Sequence, residues 1–300
     1  MDDSTLLAEL LPTAERLVDR HLGMAKEWFP HDLVEWRAPP SPRTPGSDDL
    51  LPDGVASALF VNLLTEDNLP SYHRLIHGMF GDGDGAWINW IGRWTAEEGR
   101  HAIVLRDYLM VTRNIDPILL ERGRMSQLEK GYDIASPDTL HGLAYVAFQE
   151  LATRISHRNT GRYSDDPVAD RIMIRIAADE NLHMIFYRNL MDAALQISPD
   201  QAMVAILNVV QNFEMPGTGI PGFQRKAVEM AVEGIYDLRQ HKDEVLDPVL
   251  RFWKVFELEG LSAAGEAART ELAEFMDGLE KQALRFEDKR DMLRARMALR

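Results

Sequence analysis

Two short motifs constrain this 300-residue chain more than any other feature: Glu98-Gly99-Arg100-His101 and Glu180-Asn181-Leu182-His183. In each, a carboxylate and an imidazole stand three residues apart, and positions i and i+3 of an α-helix share one face. One metal ion can then take an oxygen and a nitrogen from a single turn. Either motif alone is weak, because a chain with nine histidines shows about one such spacing by chance. The arrangement of the two is more specific. Glu66 stands 32 positions (98 − 66) before Glu98, and Glu150 stands 30 positions (180 − 150) before Glu180. Each of these acids lies in a long stretch with apolar residues at three- and four-residue spacing. The chain therefore reads as two similar helical hairpins, each giving a Glu and then a Glu-x-x-His.

The neighbours of these acids predict burial. Glu150 sits in Tyr145-Val146-Ala147-Phe148-Gln149-Glu150-Leu151-Ala152, and Glu180 lies between Ile176-Ala177-Ala178 and Met184-Ile185-Phe186. Buried carboxylates are costly unless paired or bound to metal. Four of them converging repel, and two divalent cations would neutralise the four charges. Any one of these acids could be an ordinary solvated residue on an amphipathic helix; the whole set, in this order, argues against that. The oxygen and nitrogen ligands suit iron or manganese without separating them. His73 and His77 form a separate i, i+4 pair, read as polar lining or surface.

The rest of the chain is punctuated helix. A first helical region covers roughly residues 5–27, with a break near Pro12. The stretch 38–53, with Pro39, Pro40, Pro42, Pro45 and Pro52, is a loop. Four long helices follow: Val55–Met79, kinked by Pro70; Trp87–Thr112; Thr139–Asn159; and Pro167–Leu195, capped by Asp166. Gly81-Asp82-Gly83-Asp84-Gly85 breaks the chain between the first two and lacks the pattern of a phosphate-binding loop. Further helices are expected over 199–214, 221–237, 241–259 and 262–298. The expected organisation is one helical domain over 1–300, with its core over about 55–260 and a basic C-terminal helix. Hydrophobic residues make up 45% of the chain, enough for a sizeable core. No apolar stretch approaches the ~20 residues of a membrane helix. The acidic start, Met1-Asp2-Asp3-Ser4, is unlike a secretory or transit signal, so a cytoplasmic location is expected. With no cysteine, thiolate and iron–sulfur chemistry are excluded. A net charge of −15 makes nucleic acid and anionic membrane poor partners.

The ligand order (one Glu from each of two helices, a Glu-x-x-His from each of two others) resembles the ferritin-like, ribonucleotide-reductase-like di-iron carboxylate proteins. This resemblance implies an all-α four-helix di-iron bundle with additional flanking helices, and Glu66, Glu98, His101, Glu150, Glu180 and His183 as ligands. Longer segments narrow it. Thr65-Glu66-Asp67-Asn68-Leu69-Pro70-Ser71-Tyr72, Trp94-Thr95-Ala96-Glu97-Glu98-Gly99-Arg100-His101, Phe148-Gln149-Glu150-Leu151-Ala152-Thr153-Arg154-Ile155-Ser156-His157 and Ala177-Ala178-Asp179-Glu180-Asn181-Leu182-His183 resemble the soluble acyl-acyl-carrier-protein desaturases, in their actinobacterial form. The similarity spans roughly residues 10–260.

That resemblance implies removal of two hydrogens from a saturated chain held on acyl carrier protein. Two irons per chain, oxygen, and electrons from reduced ferredoxin would serve the reaction, in a homodimer. By position it makes Trp28 and Asp179 an electron path with His101, places Thr153 near the oxygen site, and lines an acyl tunnel with Leu75, Gly78, Met79, Gly142, Leu143 and Met215. Gly99 stands where the family usually has Asn, which suggests altered packing, and Asn181 and Leu182 replace basic residues of plant members. Two alternatives share the metal site: a di-iron hydroxylase or N-oxygenase, and a ferritin-like iron-binding protein. Because the carrier is acidic, the basic residues Arg285, Lys289, Arg290, Arg294 and Arg296 are candidates for docking it, against the bland reading of a solvated helix face.

Overall fold

The computed structural model describes residues 1–36, 51–81, 85–132 and 138–298, and side chains as far as residue 296. The Pro-rich stretch expected as a loop therefore lies largely outside the described residues, as does the middle of the Gly-Asp tract. Helices come in the order α1 Asp3–Met24, α2 Pro30–Leu33, α3 Asp53–Glu66, α4 Leu69–Phe80, α5 Ala86–Thr112, α6 Pro117–Lys130, α7 Thr139–Tyr163, α8 Pro167–Ile197, α9 Pro199–Gln211, α10 Phe223–Glu233, α11 Leu238–Gln240, α12 Asp247–Phe252 and α13 Ala263–Ala298. Among the described residues there is no strand, and no helix long and apolar enough to cross a membrane.

Helix starts follow local chemistry. Asp138 caps α7 by accepting from the His141 amide, and Asp166 caps α8 by accepting from Val168 and Ala169, with Pro167 where no amide donor is needed. Three expectations change. Helix α1 does not break at Pro12. Leu6, Leu10, Ala14 and Val18 form one buried row, and burying it offsets the roughly 3 kcal/mol that an interior proline costs. The segment read as one kinked helix is instead two, α3 and α4, parted at Asp67–Asn68, so Pro70 falls in the first turn of a new helix, where its missing N–H costs little. The helix expected over 241–259 opens with a π-helical turn, His241–Leu246, that ends two residues before Pro248, and its regular part ends at Phe252. Proline disturbs the turn upstream of itself, and the wider turn absorbs this. Helix α6, capped by Asp116, was not anticipated.

Helices α3, α5, α7 and α8 pack into the central bundle; α1 lies against α8 and α5, α9 against α7 and α8, and α10 against α3. A Cβ on Gly54 would meet the Glu229 carbonyl at 2.7 Å, so glycine is what lets α10 approach α3 this closely. Two apolar clusters fill the interior. One takes Trp90 and Trp94 from α5 and Met184 and Tyr187 from α8; the other takes Val104 and Leu105 from α5 and Ile172, Met173 and Ile176 from α8. Between them, on both helices, lies a polar layer containing the two Glu-x-x-His motifs.

The C-terminal helix α13 runs along α9 and reaches α10 and α11. Its basic residues divide by face. Arg285, Lys289 and Arg296 are exposed. Arg290 donates to Asp237 Oδ2 at 2.5 Å, and Arg294 donates to the Val232 carbonyl at 2.6 Å. Positions i and i+4 share a face, and here that face meets the α10–α11 corner, so these two residues tie the helix to it, Arg290 largely covered and Arg294 with 40% of its side chain exposed. The Asp237 side chain is fully buried. Arg290→Ala leaves it without its cation and lowers stability by about 2 kcal/mol, read as a lower urea midpoint. Arg285→Ala changes it by less than about 0.5 kcal/mol.

Candidate metal centre

The four core helices bring Glu66 (α3), Glu98 and His101 (α5), Glu150 (α7) and Glu180 and His183 (α8) into one buried layer, every residue less than 10% exposed. His101 Nδ1 faces Glu180 Oε1 at 3.4 Å and Glu66 Oε2 and Glu98 Oε2 at 3.6 Å each. His183 Nδ1 faces Glu98 Oε1 at 2.9 Å and Glu150 Oε2 at 3.4 Å. Two four-residue groups result, Glu66–Glu98–His101–Glu180 and Glu98–Glu150–Glu180–His183, each with one ligand atom per residue, all within 4.8 Å of one another. Glu98 and Glu180 belong to both groups.

The outward imidazole nitrogens are held crosswise. His101 Nε2 on α5 lies 3.4 Å from Asp179 Oδ2 on α8, and His183 Nε2 on α8 lies 3.1 Å from Glu97 Oε2 on α5. Asp179 also accepts from Trp28 Nε1 at 2.8 Å and Arg100 Nη2 at 3.1 Å. Glu97 also meets His21 Nε2 at 2.8 Å and pairs with Arg93. Such partners fix ring orientation and direct the Nδ1 lone pairs inward. His157 Nε2 lies 2.9 Å from Glu66 Oε1, Trp94 Nε1 donates to Glu150 Oε1 at 3.1 Å, and Thr153 Oγ1 stands 3.1 Å from Glu180 Oε2 and 3.0 Å from the Glu150 carbonyl.

Charge in the layer must be balanced. Burial, and then the neighbouring Glu180 charge, push the Glu150 carboxyl well above the usual range. Burial also opposes ionisation of Glu66, but the neighbouring His101 ring and the hydrogen bond with His157 outweigh it and hold that group low. For His101 and His183, burial favours the neutral ring, yet the surrounding carboxylates raise both well above an ordinary histidine. With protons alone, charging both imidazoles and protonating one acid still leaves these four carboxylates and two rings one negative charge in excess. Two divalent cations balance the four carboxylates with neutral rings, the form in which histidine ligates. The donor atoms fit that role. His101 Nδ1, His183 Nδ1, Glu98 Oε1 and Glu150 Oε2 are buried and make no hydrogen bond, a cost of about 1–3 kcal/mol each unless something else binds them. Atoms about 2.1 Å from a common ion stand about 3–4 Å apart, the range of the inward contacts above. The trio His21, Glu97 and His183 is equally close, but it uses the outer nitrogen of His183 at hydrogen-bond lengths, so it is a hydrogen-bonded chain.

An apolar cavity abuts the layer. Glu66, Glu98, Glu150, Glu180 and Thr153 line it, together with Leu75, Ile76, Met79, Gly142 and Val146. A second cavity shares Thr65, Glu66 and Thr153 with it and is lined by Met215. Of the residues expected in a tunnel, Leu75, Met79 and Gly142 thus face the first cavity and Met215 the second. Leu143 is fully buried in the core, and Gly78 is exposed on α4, with nothing within 4 Å of an added Cβ. Neither lines either of these two cavities. A Cβ on Gly99 would meet only Leu69, at 3.8 Å, an ordinary contact. His73 and His77 are half-buried on α4, with His73 bonded to Thr95, and belong to neither metal group.

Sequence reasoning missed Glu97, His157 and His21. The first had a signal: an acid directly precedes each Glu of the two motifs (Glu97, Asp179). The second stands seven residues after Glu150, two turns on along the same face. His21 had none, because it reaches the site from a flanking helix.

A family model described as fatty acid desaturase matches residues 2–299. The chain is 48% identical over 301 residues to a Mycobacterium tuberculosis protein named as the acyl-[acyl-carrier-protein] desaturase DesA1, covering 96% of this chain and 89% of that one. It is 32% identical over 302 residues to stearoyl-[acyl-carrier-protein] 9-desaturase 1, chloroplastic, of Oryza sativa, covering 94% of this chain and 76% of that one. The X-ray structure of M. tuberculosis DesA2 superposes with a TM-score of 0.69 at 28% identity, covering 89% of this chain and 99% of that one.

Proposed function

The chain belongs to the fatty acid desaturase family, and from that premise we propose how its ferritin-like helical core works as an acyl-[acyl-carrier-protein] desaturase. Glu66, Glu98, His101, Glu150, Glu180 and His183 hold two irons. The saturated acyl chain lies in the cavity that shares their carboxylate wall, and this juxtaposition is the observation that carries the reading. The balanced reaction joins the acyl chain, one O2, two electrons and two protons to give the alkene and two waters. When bound, the iron pair supplies the oxidising power needed to break unactivated C–H bonds.

The residues of the chain do the rest. Leu75, Ile76, Met79 and Val146 exclude water and hold methylenes beside the carboxylates. The Thr153 hydroxyl, within reach of Glu180 Oε2, can hold a proton at the edge of the layer. Trp28, Asp179 and His101 form a hydrogen-bonded line, with Arg100 stacked 4.8 Å over the indole. We assign this line to electrons from a ferredoxin-type donor. Trp28→Phe then lowers ferredoxin-driven turnover by at least about tenfold, while single turnover after chemical reduction stays near wild type; equal loss in both assays rejects the path. Carrier docking is assigned, at most, to the exposed Arg285, Lys289 and Arg296. The deciding experiment is incubation with reduced ferredoxin and a panel of acyl carriers, followed by mass spectrometry of the released acids. Loss of two mass units is expected. Gain of sixteen would make the protein a hydroxylase.

A further inference from the structure

The two imidazoles of the layer are not held alike. His101 is oriented by Asp179, whose further partners are Trp28, Arg100 and Arg175. His183 is oriented by Glu97, which pairs through its other oxygen with Arg93 and Arg100 of its own helix and is fastened to a third helix through His21 of α1. His21 is 4% exposed; its Nε2 lies 2.8 Å from Glu97 Oε2, and its Nδ1 is buried without a hydrogen-bond partner. Among the described residues, Glu97 is thus the one hydrogen-bonding partner of this ring. An imidazole buried in an apolar wall costs free energy unless a specific contact compensates. Packing does not demand histidine here, since the ring stands edge-on to Trp90 with centroids 5.0 Å apart, a contact that any aromatic ring makes.

Resting on the desaturase reading above, we infer that His21 is a positioning residue for the iron held by Glu98, Glu150, Glu180 and His183. The His21 N–H fixes the Glu97 carboxylate, which fixes His183 Nε2–H and so directs Nδ1 at that iron. The other iron, on the His101 side, does not depend on it. Outer partners of ligating histidines are worth about 10–100-fold in metal affinity, so the chain predicts a one-sided defect.

The test is Fe(II) binding by the full-length protein against a competing chelator, with a melting curve of each metal-free variant alongside. In His21→Phe, which keeps the contact with Trp90, one iron is held normally and the other binds about 10–100-fold more weakly. In His21→Gln, whose amide N–H can still reach Glu97, affinity returns to within a few-fold of wild type. Wild-type affinity in His21→Phe overturns the inference. So does equal weakening of both irons, or a His21→Gln as defective as His21→Phe with a matching fall in melting temperature, since either is what a packing role gives. Failure of the wild-type protein to take up an iron pair would overturn the desaturase reading itself, and with it this inference.

Discussion

Glu150→Ala and His183→Ala each leave the purified protein with at most about one iron per chain in place of about two, and lower desaturation by more than about 100-fold. Each removes an inward donor of the Glu98–Glu150–Glu180–His183 group, and Glu98 and Glu180, shared with the other group, cannot complete both. Iron analysis by mass spectrometry after gel filtration reads the result directly. Two irons and full activity in both variants would refute the ligand assignment. Stability runs the other way. In the metal-free protein the Glu150 carboxyl is pushed up by burial and by the Glu180 charge. An acid whose folded pKa is raised ionises first in the unfolded chain, so its ionisation favours unfolding as pH rises above the ordinary value of 4.5. Glu150→Gln removes that contribution. The metal-free variant is therefore more stable than metal-free wild type near neutral pH, and the gap narrows as pH falls toward 4.5. With iron added the order reverses, because wild type binds the metal more tightly and binding stabilises the folded state. Denaturant curves with and without iron at two pH values would show this crossing.

Gly142→Leu shifts the substrate preference toward shorter acyl chains and lowers kcat/KM for the longest accepted chain by about 50- to 100-fold. A Cβ on Gly142 would stand 2.2 Å from Met79 Sδ, so any larger residue drives the flexible Met79 side chain, the added one, or both into the cavity. Each displaced methylene loses about 0.8 kcal/mol of burial, and three of them account for the loss. The backbone takes no harm, since replacing glycine inside a helix gains roughly 0.5–1 kcal/mol in helix preference. Gly78→Leu, on the exposed side of α4, leaves the chain-length profile unchanged. A competition assay with mixed acyl carriers reads both variants. An unaltered profile in Gly142→Leu would remove this cavity from the substrate path.

The residues the sequence singled out are those whose relation is local. The two Glu-x-x-His turns needed only the periodicity of a helix, and the paired hairpins needed only an acid in an apolar stretch about thirty residues upstream. Helix starts at α7 and α8 were fixed by an aspartate and the chain beside it. The same local rules went wrong where a neighbour outweighed them. Pro12 stays inside α1 because the buried row Leu6–Leu10–Ala14–Val18 holds the helix together across it, and Pro70 opens a new helix rather than kinking one because the chain parts at Asp67–Asn68.

What the tertiary structure decided is the rotation of each helix about its own axis. That rotation crosses the outer acids, so that Glu97 serves His183 and Asp179 serves His101, although each acid stands four residues before the other histidine on its own helix. It brings His21 from α1 and His157 from α7 to the carboxylates, sets Met79 against Gly142, and turns Gly78 to the outside. A linear pattern of apolar residues fixes which face of a helix is buried, but only packing against particular neighbours fixes which partner each buried polar atom meets.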